Sequence, residues 1–209
     1  MHFKNRVEAG DKLAESLRNY QGQKAVIYAL PRGGVVVGAE IAKKLGLPLD
    51  LIIVRKIGHP YNPEYAIGAV TENGTIILNE EEKQEIDPEW LKKEVQTQQE
   101  EAKRRKDLYL PINHKISANN QIAIIVDDGI ATGLTMQAAI KEIRQQNPQR
   151  IVIAVPIIPK DTVQKLTSEG IEIIALDELK EFVGAVGAYY DFFPQLSDEE
   201  VIELIKKSR

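Results

Sequence analysis

With 209 residues the chain can bury one substantial core, and its 27 Lys and Arg against 31 Asp and Glu, a net charge of −4, leave no electrostatic footprint for nucleic acid. It has no cysteine, which excludes disulfides, thiol catalysis and cysteine metal ligation, and its three histidines, His2, His59 and His114, are too scattered for a recognisable metal cluster. The first residues are charged without the apolar core of a signal peptide and no apolar run could span a bilayer, so the expectation is a cytoplasmic protein with no membrane partner.

In chain order, residues 7–20 read as a helix with Leu13, Ala14 and Leu17 on one face. Residues 24–30 read as a strand, followed by the turn Pro31-Arg32-Gly33-Gly34 and by helical spacing over 35–45. Residues 49–54 read as a buried strand ending in Arg55-Lys56-Ile57-Gly58. The stretch 59–69 holds Pro60, Tyr61, Pro63 and Tyr65 with little periodicity, which predicts a loop in which His59 is solvated or packed. Asn73-Gly74 is a favoured turn pair and predicts a hairpin over 68–79.

Residues 80–108 form a charged helical segment interrupted at Asp87-Pro88, where proline suits the first turn of a new helix. Within it, Arg104-Arg105-Lys106 follows Glu100-Glu101 at helical spacing and reads as a solvated face. Residues 111–121 make a polar connection. Residues 150–156 and 171–176 read as two more buried strands with a helix at 160–168 between them. Such alternation predicts an α/β fold, a mainly parallel sheet with right-handed crossovers and flanking helices. One domain is expected, with a core over residues 20–176 and a distinct segment at 177–209. That segment gathers Phe182, Tyr189, Tyr190, Phe192 and Phe193 in a chain only 6% aromatic, and Ser197 then caps a final amphipathic helix.

The most informative stretch is Ile122-Ala-Ile-Ile-Val-Asp127-Asp128-Gly129-Ile130-Ala131-Thr132-Gly133-Leu134-Thr135. Its apolar residues before Asp127 suit a parallel strand covered on both faces, and a helix begins near Gly133 or Leu134. The turn therefore sits at a strand's carboxyl end, where open α/β sheets bind ligands, and the free N–H groups of a helix start favour a phosphate. Thr132 and Thr135 add hydroxyl donors, and Gly133 lets the backbone approach an anion. Asp127 and Asp128 repel phosphate but accept from sugar hydroxyls and can serve as outer-sphere ligands of magnesium. A Walker loop would need Lys where Leu134 stands, and the Rossmann glycine pattern is absent.

This string resembles the phosphoribosyl pyrophosphate (PRPP) binding motif of type I phosphoribosyltransferases: four hydrophobic residues, two acids, a short variable stretch, then Thr-Gly-x-Thr. The resemblance implies a three-layer sheet-and-helix fold with a small hood built from terminal segments. It places the ribose hydroxyls on Asp127 and Asp128 and the 5-phosphate on Ala131, Thr132, Gly133, Leu134 and Thr135. Arg32-Gly33-Gly34 looks like the family's pyrophosphate loop, and Arg55-Lys56 matches cations that follow a strand in adenine phosphoribosyltransferases. Residues 59–69 correspond in position to the mobile loop that closes over the site, and Tyr189, Tyr190 or Phe192 to acceptor contacts in the hood. The resemblance further implies magnesium carried with PRPP and a homodimer.

Departures matter as much. Where hypoxanthine, guanine and xanthine enzymes carry an Asp that helps a purine nitrogen lose its proton, this chain has Ala131, as adenine enzymes do. Those use a glutamate from the mobile loop, and Glu64 is the one acid between Arg55 and Val70. The implied activity is transfer of the 5-phosphoribosyl group to a nitrogenous acceptor, a nucleobase being one candidate, with Asp127, Asp128 and Glu64 catalytic. The alternatives are a non-catalytic PRPP or nucleotide binder on the same fold, and a hydrolase of PRPP that needs no acceptor.

Overall fold

The computed structural model describes residues 1–110 and 116–208, so part of the expected polar connection at 111–121, with His114, lies outside the described residues. Five parallel strands form the main sheet in the order β2-β1-β6-β7-β8, comprising β1 (Ala25–Ala29), β2 (Leu49–Leu51), β6 (Ile122–Val126), β7 (Arg150–Pro159) and β8 (Glu172–Leu179). Alternation along these strands feeds two cores. Ile27, Ile124 and Val152 face helices α1 (Arg6–Ser16), α2 (Gly33–Leu45) and α7 (Asp198–Lys207), whereas Val26, Ile125 and Ile153 face α5 (Leu134–Arg144) and α6 (Lys160–Ser168). Buried on both faces, the central strands are continuously apolar, as parallel strands are.

Two of the expected elements need correction. The strand predicted over 49–54 stops pairing with β1 at Leu51, and a new strand, β3 (Val54–His59), leaves for a second sheet. Residues 59–69 are not an irregular loop: β3 pairs antiparallel with β4 (Asn62–Thr71), which pairs with β5 (Ile76–Leu78) around the expected turn at Asn73-Gly74. Ile57, Ile67 and Val70 are buried with Ile86 and Leu91 in a core of their own, covered by α4 (Pro88–Tyr109), which the short α3 (Glu80–Gln84) precedes. The alternation is hidden in the sequence because residues 61–65 are all exposed, so the hairpin arm shows an apolar pattern only from Ile67 onward.

Glu142 of α5 fastens the second sheet to the first. Its carboxylate accepts from the Thr71 hydroxyl at 2.9 Å, the Thr75 hydroxyl at 2.6 Å and the Asn73 amide at 2.6 Å. The run at 104–106 is not uniformly solvated either, since Lys106 pairs with the buried Glu72 at 2.9 Å.

The two ends of the chain meet at the carboxyl ends of the strands. The Phe3 N–H donates to the Tyr189 carbonyl at 2.9 Å, and the Asp191 N–H to the Phe3 carbonyl at 2.8 Å. Phe3, Ile157, Leu179 and Tyr190 bury a third small core there. Ser197 starts α7 through a capping box with Glu200, as its sequence suggests. Among the described residues no helix is long and apolar enough to cross a membrane.

Candidate functional site

Strand β6 runs between β1 and β7 and delivers Asp127 and Asp128 at its carboxyl end, both half-buried. Asp127 Oδ1 accepts from the backbone N–H of Asp128 at 2.8 Å. Asp128 Oδ2 accepts from Arg6 Nε at 2.7 Å, in a pair whose side chains are only 9% and 14% exposed. The Tyr190 hydroxyl donates to the Asp128 carbonyl at 2.6 Å. Burial and then the Asp128 carboxylate push the Asp127 pKa well up; burial also raises Asp128, with the Arg6 guanidinium opposing. The Arg6 guanidinium, bonded to Asp128, favours the charged form of that carboxylate.

Beyond the acids the chain turns into α5. The Ile130 N–H donates to the Ile157 carbonyl at 3.0 Å, which pins the turn to β7. Gly133 caps the helix at φ 77°, a left-handed conformation that side-chain-bearing residues adopt at a cost of about 1–2 kcal/mol. Ala131 and Thr132 are exposed, and Leu134 and Thr135 half-buried. The first N–H groups of this helix lack intrahelical partners and lie at its positive end, which suits a phosphate.

The glycine turn belongs to the neighbouring strand. β1 pairs with β6 over its whole length, from Ala25 opposite Ile122 to Ala29 opposite Val126, so the two strand-turn-helix units open side by side. A Cβ on Gly33 would lie 1.8 Å from Asp128 Oδ2, and one on Gly34 would lie 2.8 Å from the Val126 carbonyl oxygen. Only glycine fits where the two turns touch. Arg32 reaches out from this turn and donates to the Leu196 carbonyl at 2.6 Å, 3.9 Å from Asp198. The other cations stand on β3. Half-buried Arg55 donates to Gln98 at 3.1 Å, and burial, then Arg105, then Arg32 among its neighbouring cations lower its pKa. Lys56 contacts the Glu64 carbonyl at 3.0 Å and its carboxylate at 3.3 Å.

The structure thus brings Gly33 and Gly34 against Asp127 and Asp128, while the Arg32 side chain turns to Leu196 and Asp198. It leaves Glu64 on the hairpin arm with its side chain 95% exposed and paired with Lys56. Of the terminal aromatics, Tyr190 is packed between Phe3 and Phe193, at centroid distances of 5.4 and 4.9 Å. Tyr189 lies 5.8 Å from Phe182, and Phe192 is exposed beside an apolar groove with Val7, Val36 and Leu196. A second cleft opens next to the phosphate turn, lined by Ala131, Thr132, Pro159, Lys160, Lys180 and Phe182.

Arg6 is a site residue that the sequence alone does not single out. Besides binding Asp128, it donates to the Pro194 carbonyl at 2.8 Å and lies 3.6 Å over the Phe193 ring, joining both chain ends to the acid pair. One signal points to it: a cation in the first turn of a helix opposes the helix dipole and needs a partner elsewhere. Among the described residues no cluster of three or more His, Asp or Glu could hold a metal directly. Two adjacent carboxylates nevertheless suit outer-sphere contact with magnesium borne on substrate oxygens.

Comparison with known proteins gives the family of the chain. Residues 3–191 match the family model of the phosphoribosyl transferase domain. Proteins of two Mycobacterium tuberculosis strains, each named "Putative phosphoribosyl transferase", are 38% identical over 208 residues, covering 99% of this chain and 47% of their own length. The chain therefore spans about half the length of the curated relatives it matches. The crystal structure of TT1426 from Thermus thermophilus is similar, with 38% identity, a TM-score of 0.81 and 99% of each chain covered.

Proposed function

The chain belongs to the phosphoribosyl transferase domain family, and on that footing we propose that it moves the 5-phosphoribosyl group of PRPP to a nitrogenous acceptor and releases pyrophosphate. The observation that carries this reading is the contact between the glycine turn and the acid pair, 1.8 Å from a Gly33 Cβ position to Asp128 Oδ2. It supports reading an anion site and a sugar-hydroxyl site within the span of one small ligand.

In this reading the N–H groups and hydroxyls of residues 131–135 hold the 5-phosphate, and Asp127 and Asp128 accept from the ribose hydroxyls. Magnesium bound to PRPP oxygens would neutralise the pyrophosphate, with the two carboxylates as outer-sphere partners. As the bond from the anomeric carbon to pyrophosphate breaks, its electrons leave with the pyrophosphate, and positive charge on the ribose ring is stabilised by the neighbouring carboxylates. Arg32, Arg55 and Lys56 receive the departing anion. The acceptor nitrogen attacks the opposite face of the anomeric carbon, inverting it. Its proton goes to a base, a role for Glu64 once the β3–β4 arm folds over the site.

The terminal segments, with the cleft of Ala131, Thr132, Lys160, Lys180 and Phe182, serve as the hood that takes the acceptor. The test is magnesium-dependent pyrophosphate release from PRPP with a panel of purines, pyrimidines and other amines, beside the Asp127→Asn, Asp128→Asn double variant. Release that needs an acceptor and vanishes in the variant supports transfer. Tight PRPP binding without release supports the non-catalytic binder, and release without acceptor supports a hydrolase.

A further inference from the structure

We infer that Arg105 of α4 is a third pyrophosphate-binding arginine, completing a cradle with Arg32 and Arg55; this rests on the phosphoribosyl transfer reading and assigns a residue to that same site. Gln98, Glu101, Arg105 and Tyr109 follow each other at spacings of three or four residues on α4, and so share a stripe. At the amino-terminal end of the stripe, Gln98 accepts from Arg55 Nε at 3.1 Å. At the other end, the Tyr109 hydroxyl donates to Asp198 Oδ1, and that same oxygen lies 3.9 Å from Arg32. Arg105 stands between these two contacts, so three arginines from three separate segments converge on one space.

Each guanidinium is anchored by one nitrogen and keeps at least one terminal nitrogen without a hydrogen bond among the described residues. Arg105 Nε donates to Glu101 at 2.8 Å, Arg55 Nε to Gln98 and one Arg32 nitrogen to the Leu196 carbonyl. The terminal nitrogens of Arg105 and Arg55 make no hydrogen bond among the described residues. The Arg105 side chain is only 16% exposed, which is unusual for a cation with two uncommitted donor groups. Counter-charge is also short. Glu101 is shared between Arg104 and Arg105, Asp198 is shared between Tyr109 and Arg32, and Arg55 has a neutral partner. Folding has therefore gathered like charges in a half-buried place and oriented them, an arrangement that a polyanion with several oxygens relieves. Arg104 provides the contrast: it binds the same Glu101 but its side chain is 56% exposed.

The experiment is calorimetric titration of inorganic pyrophosphate, and separately of PRPP, into the full chain and its Arg105→Gln, Arg105→Lys and Arg104→Gln variants, with urea unfolding as the fold control. A charge-assisted contact of this kind is worth about 1.5–3 kcal/mol, which is roughly a 10- to 150-fold change in Kd. Arg105→Gln is expected to weaken pyrophosphate by at least about tenfold at unchanged stability, Arg105→Lys to recover part of that, and Arg104→Gln to stay within about twofold. Unchanged pyrophosphate affinity in Arg105→Gln, with the wild type binding normally, overturns the inference and leaves the transferase reading standing. A wild type that binds neither pyrophosphate nor PRPP overturns both.

Discussion

Replacing Gly33 by alanine tests the joint between the two turns. The new Cβ would sit 1.8 Å from Asp128 Oδ2 and 2.9 Å from Arg6 Nε, against a comfortable separation of about 3.5 Å, so the carboxylate must retreat by more than an ångström. It is not free to do so, because it is held by Arg6 at 2.7 Å in a pair with side chains 9% and 14% exposed. Overpacking of this kind costs about 1–3 kcal/mol, and full rupture of a buried pair costs about 3–5 kcal/mol. Against this, alanine at a helical position recovers about 0.5–1 kcal/mol relative to glycine. The net expectation is a destabilisation of about 2–4 kcal/mol. A typical reserve of about 5–15 kcal/mol leaves the variant folded and measurable. Urea unfolding followed by circular dichroism gives the stability, and calorimetry with magnesium and PRPP the affinity, which should fall by at least about tenfold because both half-sites move. A variant as stable as the wild type that binds PRPP equally well would refute the proposed contact between the glycine turn and the acid pair.

Further expectations follow from the charges. Asp127→Asn should abolish pyrophosphate release yet stabilise the fold near neutral pH. Because the folded Asp127 pKa is raised above its ordinary value of 3.8, the contribution of this one group is fully present below about pH 4 and is lost as pH rises through the folded pKa; urea midpoints from about pH 5 upward should show that loss in the wild type and a smaller one in the variant. Arg6→Gln should destabilise by about 3–5 kcal/mol, since Asp128 is left buried without its cation, and should move the acidic limb of the activity profile to higher pH; an unshifted limb would mean that Arg6 does not control the acid pair. Glu142→Gln should cost about 1–3 kcal/mol at pH 7 by upsetting two buried hydrogen bonds and one half-buried one. The Glu142 pKa is lowered, its bonds from Thr75, Asn73 and Thr71 outweighing burial, so this contribution is present above about pH 4.5 and lost as pH falls through the lower folded value, which unfolding at pH 3 and pH 7 would reveal.

How far the sequence reaches depends on whether a signal is local. β6, its acid pair and the helix after it are legible, because a strand covered on both faces, a φ-demanding glycine and a helix start each leave their own mark in consecutive residues. The helix at 160–168 and the Ser197 cap are legible for the same reason. The β3–β4 hairpin is not: its exposed arm carries no alternation, and its hydrogen bonds go to a partner that only the folded chain supplies. Arg6 and Arg105 lie far along the chain from Asp128 and Arg32, and read alone they are surface cations on helices. Tyr190 is visible as one of an aromatic group, but its bond to the Asp128 carbonyl depends on the meeting of the two chain ends.

The most direct test is a crystal structure of the chain with magnesium and PRPP. The 5-phosphate is expected on the N–H groups of residues 131–135, the ribose hydroxyls on Asp127 and Asp128, and the pyrophosphate against Arg32 and Arg55. PRPP bound elsewhere on the molecule, or with its pyrophosphate turned away from the Gly33-Gly34 turn, would contradict that expectation.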